Sequence, residues 1–390
     1  MEEVLRHKHI VITGDNGNAL GVVRSLAEYG ILPIIIYLQE KRFPYLLNSK
    51  YCKVKHIVYS YEEGTNLLIS QYGNEDSLPF VYTCDDFIES ILDARYDELQ
   101  GKFYFFQAGE RGSINSMMDK NTICEMAKSC GLNIPRKEIV ETGDLPKTLT
   151  YPVITKTLMS IMGAWKNDVY VCNSEDELQQ AYTKIKSPRL LVQEYIKKKN
   201  ELAIMGFSIN GGEHVYMPYQ LSYFRTPESA YGSYMYFKPF EDSELEKKIQ
   251  NLMQLCKYSG CFEIEFLIDE NDNLCFLEVN FRFSYWNYAL TYGGVNYPIA
   301  WAYATLTGNI DDSLYHLKSY FTAMDEPGDY GQVVATKKMS IKSWIREMTH
   351  ADVLYIYNKK DKKPAIKYWS KVCLDILKYK FKHIVARNTY

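Results

Sequence analysis

FLEVNFRFSYWNYALTYGG, residues 276–294, opens as a strand and then carries what a buried strand should not. Glu278, Asn280 and Arg282 stand at i, i+2, i+4 spacing, and alternate strand residues share one face. Phe276, Leu277, Val279, Phe281 and Phe283 make the segment too apolar for a solvated surface strand. A buried carboxylate without a partner is costly, so this polar face implies something for it to bind.

The preceding residues supply more of the same. CFEIEFLIDENDNLCFLEVN (261–280) reads as a β-hairpin turning at DENDN, and its first arm carries Glu265, with Glu263 on the same face. Antiparallel pairing would gather carboxylates and an amide, the hard oxygen donors that Mg²⁺ prefers. That set suits one or two ions bridging the phosphates of a nucleotide. Arg282, one step further out, would face developing negative charge.

Working outward, HIVITG (9–14), a helical stretch over 18–29 and PIIIYL (33–38) spell a parallel α/β unit. FVYTCDDFIESILD (80–93) and KFYFFQ (102–107) repeat it. SINSMMDKNTICEMAKSCGLNIP (113–135) reads as one helix with its exit at Gly131 and a stop at Pro135. From Tyr151 the texture turns to strands: YPVITK, DVYVC, RLLVQEYI, ELAIMGFSI, CFEIEFLI and LCFLEVNF, with helices expected over 174–186 and 243–259. In PAIKYWSKVCLDILKYKFKHIV (364–385), Ile366, Trp369, Cys373, Ile376, Leu377 and Ile384 fall near helical spacing, with lysines opposite.

Composition narrows the class. The 390 residues are 46% apolar and 24% charged, enough for two or three compact units. A net charge of −3 argues against a general nucleic-acid binder. From Gly331 onward, however, 14 Lys+Arg face 4 Asp+Glu, so the tail is strongly basic. Nine cysteines without a CxxC pair read as reduced thiols. The start, MEEVLRHKHIVITG, has no signal-peptide core, and no apolar stretch is long enough to span a bilayer. A cytoplasmic protein is expected. The seven histidines form no zinc set, and neither a P-loop nor a G-x-S-x-G elbow occurs. The 34 tyrosines are unusually many.

Taken in order, the motifs resemble the ATP-grasp superfamily over roughly residues 8–310, nearest to D-aspartate ligase and carbamoyl-phosphate-synthase-like members. The resemblance implies an α/β and α+β architecture. A Rossmann-like domain (1–108) precedes two α+β subdomains clasping ATP (109–195 and 196–315, the second with the metal site), and a basic, partly helical extension follows (316–390). It makes Lys120 of the DK pair and Lys156 ending YPVITK phosphate contacts. TLMSIMGAWKN (157–167) takes the place of the glycine-rich loop, with Ser160 and Gly163 over the nucleotide. It departs from the family in having a single glycine and in having Thr157 where proline is usual. Gln193, Glu194, Tyr195 and Ile196 would meet the adenine and Glu201 the ribose. Glu265, Glu278 and Asn280 would be the metal ligands, and Arg282 and Lys156 the catalytic pair.

The substrate side is open. GDNGNALG (14–21), with Asn16 and Gly17, is either a carboxylate-binding loop at a helix N-terminus or a tight βα turn. Arg225, in YFRTPESAYGSYMYFKP (223–239), is either a carboxylate clamp or a surface-loop residue; in YTCDDF, Asp85 or Asp86 would cap a helix. The implied activity is an ATP-dependent ligase that joins a carboxylate to an amine through an acyl phosphate, releasing ADP and phosphate. Mg²⁺ is the expected metal, with Mn²⁺ as substitute. The alternatives are a nucleotide-binding scaffold or regulator without turnover, and an ATP-grasp enzyme with another phosphoryl acceptor. Implied partners are small molecules and a second copy in a homodimer, with no nucleic acid. The basic tail either packs as a solvated helix or meets an anionic surface.

Overall fold

The computed structural model describes residues 2–39, 43–159, 168–227 and 232–387, so Ser160 and Gly163 lie outside the described residues. Three sheets organise the described residues. The first is parallel, in the order β3-β2-β1-β4, from β1 (His9–Thr13), β2 (Ile34–Leu38), β3 (Val54–Val58) and β4 (Phe80–Thr83). Helices Gly17–Glu28 and Tyr61–Tyr72 connect β1 to β2 and β3 to β4, and helix Asp86–Ala94 follows β4. The second, antiparallel, is β5-β8-β6-β7, from β5 (Lys137–Glu141), β6 (Val153–Lys156), β7 (Val171–Cys172) and β8 (Arg189–Glu194). The third has seven strands in the order β13-β12-β9-β10-β11-β14-β15. They are β9 (Lys198–Ile209), β10 (His214–Tyr223), β11 (Tyr234–Pro239), β12 (Gly260–Asp269), β13 (Leu274–Asn280), β14 (Phe321–Met324) and β15 (Val353–Leu354).

Three expectations need correction. KFYFFQ is not a strand; only isolated bridges at Tyr104 and Gln107 tie it down, while Phe103, Phe105 and Phe106 are buried. The single helix over 113–135 is two, Ser113–Met117 and Lys120–Ser129, because Asp119 leaves helical geometry to accept the Thr122 amide as N-cap. The segment 223–239 ends in a strand, β11, rather than being a loop throughout. Residues 316–390 also contribute strands: β14 pairs with β11, and β15 continues the sheet. The terminal helix Lys363–Arg387 does form, leaving Ile366 and Leu374 exposed. Among the described residues no helix is long and apolar enough to cross a membrane.

One core joins the first and third sheets. The helix Tyr297–Thr307 is apolar all round, as a buried helix should be. Its Trp301 meets Phe80, Tyr82 and Phe106 edge-on, and Tyr297 meets Phe283. A second tie is polar. Arg24, fully buried in the first helix, donates from Nε to Asp361 Oδ2 at 3.3 Å. It also donates to the carbonyls of Tyr355 and Ile356 at 2.8 Å each and of Asp361 at 3.3 Å.

His9 of β1 is buried with both ring nitrogens engaged, Nδ1 by the Tyr82 hydroxyl at 2.8 Å and Nε2 by the Val4 carbonyl at 2.9 Å. The neutral ring with a proton on Nε2 satisfies both. Burial depresses its pKa from 6.5 to about 4. The unfolded chain then binds the proton first as pH falls, so stability present above pH 6.5 is lost between 6.5 and 4. We expect a loss of about 2 kcal/mol by pH 5 and about 3 kcal/mol in full. Urea midpoints at pH 7 and pH 5, compared with those of His9→Gln, check this; equal slopes in the two proteins would refute it.

Candidate functional site

The hairpin forms in the expected register. β12 and β13 place Glu265 opposite Glu278 and Glu263 opposite Asn280, with a shift just beyond Glu265. Alternation sets their side chains on one wall of a cavity of about 490 Å³. Arg282, just past the strand, donates to Asn280 Oδ1 at 3.1 Å and therefore stays with the row.

Each polar group on this shelf has a partner. Lys120 opens its helix and donates to Glu278 Oε2 at 2.5 Å. Asn280 Nδ2 donates to Glu265 Oε1 at 2.9 Å and Glu263 Oε2 at 3.3 Å. Arg282 Nε donates to Asp86 Oδ1 at 2.6 Å. The electrostatics divide accordingly. Lys120 holds the Glu278 carboxyl below its usual range. Burial, followed by the charges of Glu278 and Glu263, pushes Glu265 well up, and burial raises Glu263. Burial and repulsion by Lys120 bring Lys156 down to about 8. Among the described residues Lys156 makes no ion pair.

The donor set fits a hard divalent cation in kind. Two or three carboxylates and an amide oxygen repel one another, and a cation would relieve that repulsion. It is not a ready-made cage: no cluster of three or more His, Cys, Asp or Glu side chains is poised for a metal among the described residues. Glu278 would have to exchange Lys120 for the ion, and the Asn280 amide would have to turn its oxygen inward.

The nucleotide candidates lie on or beside the second sheet. Lys156 ends β6, and the neighbouring β8 carries Gln193, which is buried opposite Ile154. Glu194 is turned away, accepting the amide and Nε of Arg136 at 2.8 Å each. The Tyr195 amide donates to the Pro152 carbonyl at 3.0 Å, and Ile196 follows it between β8 and β9. Glu201, on β9, lines the cavity and pairs with Lys198 at 2.6 Å.

Three substrate candidates fall elsewhere. Arg225 Nη1 donates to both oxygens of buried Asp329 at 2.7 and 2.8 Å, and Nη2 pairs with Glu347. It fastens the C-terminal segment rather than facing the cavity. Asn16 is buried, donating to the Tyr37 hydroxyl and accepting the Leu46 amide. Gly17 makes room for a ring: a Cβ there would stand 2.6 Å from Tyr285. Their neighbours Asp15 and Asn18 line the cavity instead. Asp85 caps its helix through the Ile88 amide and also holds the Gly14 amide at 2.8 Å.

Sequence reasoning offered Asp86 only as a possible cap, whereas its carboxylate is the Arg282 partner. The doubled acid of YTCDDF was the available signal, since a cap uses only one of the two. It also missed Tyr285, Trp286 and Asp325, which line the same cavity.

Residues 130–287 match the RimK-like ATP-grasp domain. Over 177 residues the chain is 25% identical to N5-carboxyaminoimidazole ribonucleotide synthase of Staphylococcus aureus (strain COL), an alignment covering 43% of this chain and 45% of that protein. The chain thus spans about half the length of the curated relatives it matches. In fold it is similar to the crystal structure of N5-carboxyaminoimidazole synthetase from Staphylococcus aureus. The TM-score is 0.64 at 17% identity, over 86% of each chain. It is similar also to the L-amino acid ligase from Bacillus licheniformis, with a TM-score of 0.61 at 16% identity over 81% of this chain and 79% of that one.

Proposed function

We propose that this chain, whose residues 130–287 match a RimK-like ATP-grasp domain, is an ATP-dependent ligase joining a carboxylate to an amine. The observation that carries this is the hairpin shelf: Glu265 opposite Glu278 and Glu263 opposite Asn280, flanked by Lys120 and Arg282 and open to one cavity.

In this reading Glu265, Glu278 and Asn280 hold magnesium. Lys120 and Lys156 neutralise the nucleotide phosphates, Gln193 to Ile196 border the adenine, and Glu201 serves the ribose. Bound Mg·ATP would supply the phosphoryl group that turns the substrate carboxylate into an acyl phosphate. Arg282 is the fixed counter-charge for that transfer, because Asp86 and Asn280 aim its guanidinium before any substrate arrives. Burial opposes its charge, but Asp86 and Glu263 hold its pKa above the usual range, so it stays cationic throughout. Lys120 is paired with Glu278 here; with a cation held at Glu278, its ammonium would be released to neutralise phosphate.

Incubation with Mg·ATP and pooled carboxylates and amines tests the reading. The expected products are ADP and phosphate, formed only when both pools are present. AMP with pyrophosphate would refute the acyl-phosphate route. Tight ATP binding without turnover in any pool would favour a nucleotide-binding scaffold.

A further inference from the structure

The cavity does not end at the metal shelf. It continues over Asp15, Tyr285, Trp286 and Asp325, and this part is aromatic and acidic. Tyr285 donates its hydroxyl to Asp325 Oδ1 at 2.8 Å. Its ring lies on Tyr355 with centroids 3.6 Å apart, and Trp286 stands edge-on to both at 5.3 and 5.7 Å. The Tyr355 hydroxyl is anchored on the Gly17 carbonyl at 2.9 Å, which locks the stack to the first domain. Asp325 follows β14 and so lies outside the ATP-grasp domain at 130–287.

A carboxylate set among fixed aromatic faces is the chemistry that recognises an organic cation: charge on one side, ring quadrupoles on the other. We propose that this end of the cavity receives the amine co-substrate as an ammonium ion, and that Asp325 takes the proton the amine must lose before it attacks. The proposal rests on the ligase reading above. The balance is simple. R–NH₃⁺ gives one proton to Asp325, and the nitrogen lone pair then forms the C–N bond at the acyl carbon. The C–O bond to phosphate breaks, and its electron pair leaves with phosphate. The second nitrogen proton goes to the departing phosphate, and Asp325 returns its proton to water.

The setting of Asp325 suits a base. Burial, aided by Glu326 and Asp329 and opposed by the Tyr285 hydroxyl and the Gly328 amide, pushes its carboxyl up to about 7. Tyr45, Tyr355 and Tyr368 also face its charge. A general base is most effective when its pKa lies near the working pH.

Saturation-transfer NMR on the full chain, with n-propylammonium against 1-propanol, tests recognition apart from catalysis. Propylammonium should bind about tenfold more tightly than the alcohol, and Asp325→Asn should remove the difference. Equal binding of the two probes, or an unaltered difference in the variant, would overturn the proposal. Turnover separates the two readings. With pooled carboxylates and Mg·ATP, Asp325→Asn should lower amine-dependent ADP release about 10²–10³-fold. Release supported by hydroxylamine, which is already neutral at pH 7, should fall less than about tenfold. Equal losses with both acceptors would also overturn it. If neither acceptor supports ADP release in the unmutated protein, the ligase reading fails, while the NMR result still decides the cation site. Should Asp325→Asn not fold, Tyr285→Phe keeps the ring and removes the hydrogen bond. The onset of propylammonium binding should then move to higher pH; an unmoved onset would count against Asp325.

Discussion

Glu278→Gln should lower ATP turnover about 10³-fold, the largest effect of any single substitution in this protein. Glu278 stands at the centre of the shelf, opposite Glu265 and bonded to Lys120. The amide is nearly isosteric and still offers Lys120 an oxygen, so packing is conserved. What disappears is the negative charge that would hold a cation and that keeps Lys120 ordered. The stability change should be small, because the repulsion between Glu278 and Glu265 disappears at the same time. Turnover measured against Mg²⁺ concentration, beside the unfolding midpoint, checks both statements. Activity within tenfold of the parent at saturating Mg²⁺ would remove Glu278 from the metal site.

The largest effect on stability should come from Arg24→Met, at about 3–5 kcal/mol. The guanidinium satisfies Asp361 and three backbone carbonyls in a site closed to water. Methionine fills most of the volume but donates nothing. Among the described residues Asp361 keeps only the Ser49 hydroxyl and the Lys50 amide, and an incompletely paired buried charge is the costly outcome. The double variant Arg24→Met, Asp361→Leu should recover part of the loss, since removing both partners is cheaper than removing one. Urea unfolding of the single and double variants decides it. A single-variant loss below about 1 kcal/mol would show that the pair contributes little.

Much of this was legible in the residues themselves, where the signal was local. The β12–β13 hairpin could be read because strict alternation and the DENDN turn fix its register within twenty residues. The helix start at the DK pair was hidden inside a longer helical pattern, although Asp119 is a side-chain cap there. β10 was hidden by Pro218, which a strand interior rarely tolerates; it sits where the pairing with β9 shifts between Tyr216 and Tyr219. β3 was hidden by Lys55 and His56 in an edge strand with little apolar alternation. KFYFFQ misled in the other direction, since its aromatics are buried without ladder pairing. The partners of the shelf were beyond local reading. Asp86 meets Arg282 across 196 residues, and Asp325 has no neighbour in sequence that announces a site.

The bonds of Arg24 also set a schedule. Its acceptors lie at Tyr355, Ile356 and Asp361, more than 330 residues downstream. At about 5–20 residues per second, a ribosome needs roughly 20–70 s to travel from Arg24 to Asp361. For that interval the first helix carries a cation destined for a dry interior with nothing yet made to receive it. The nascent first sheet and its helix must therefore stay open on that side, and their completion waits on residues more than 330 positions downstream.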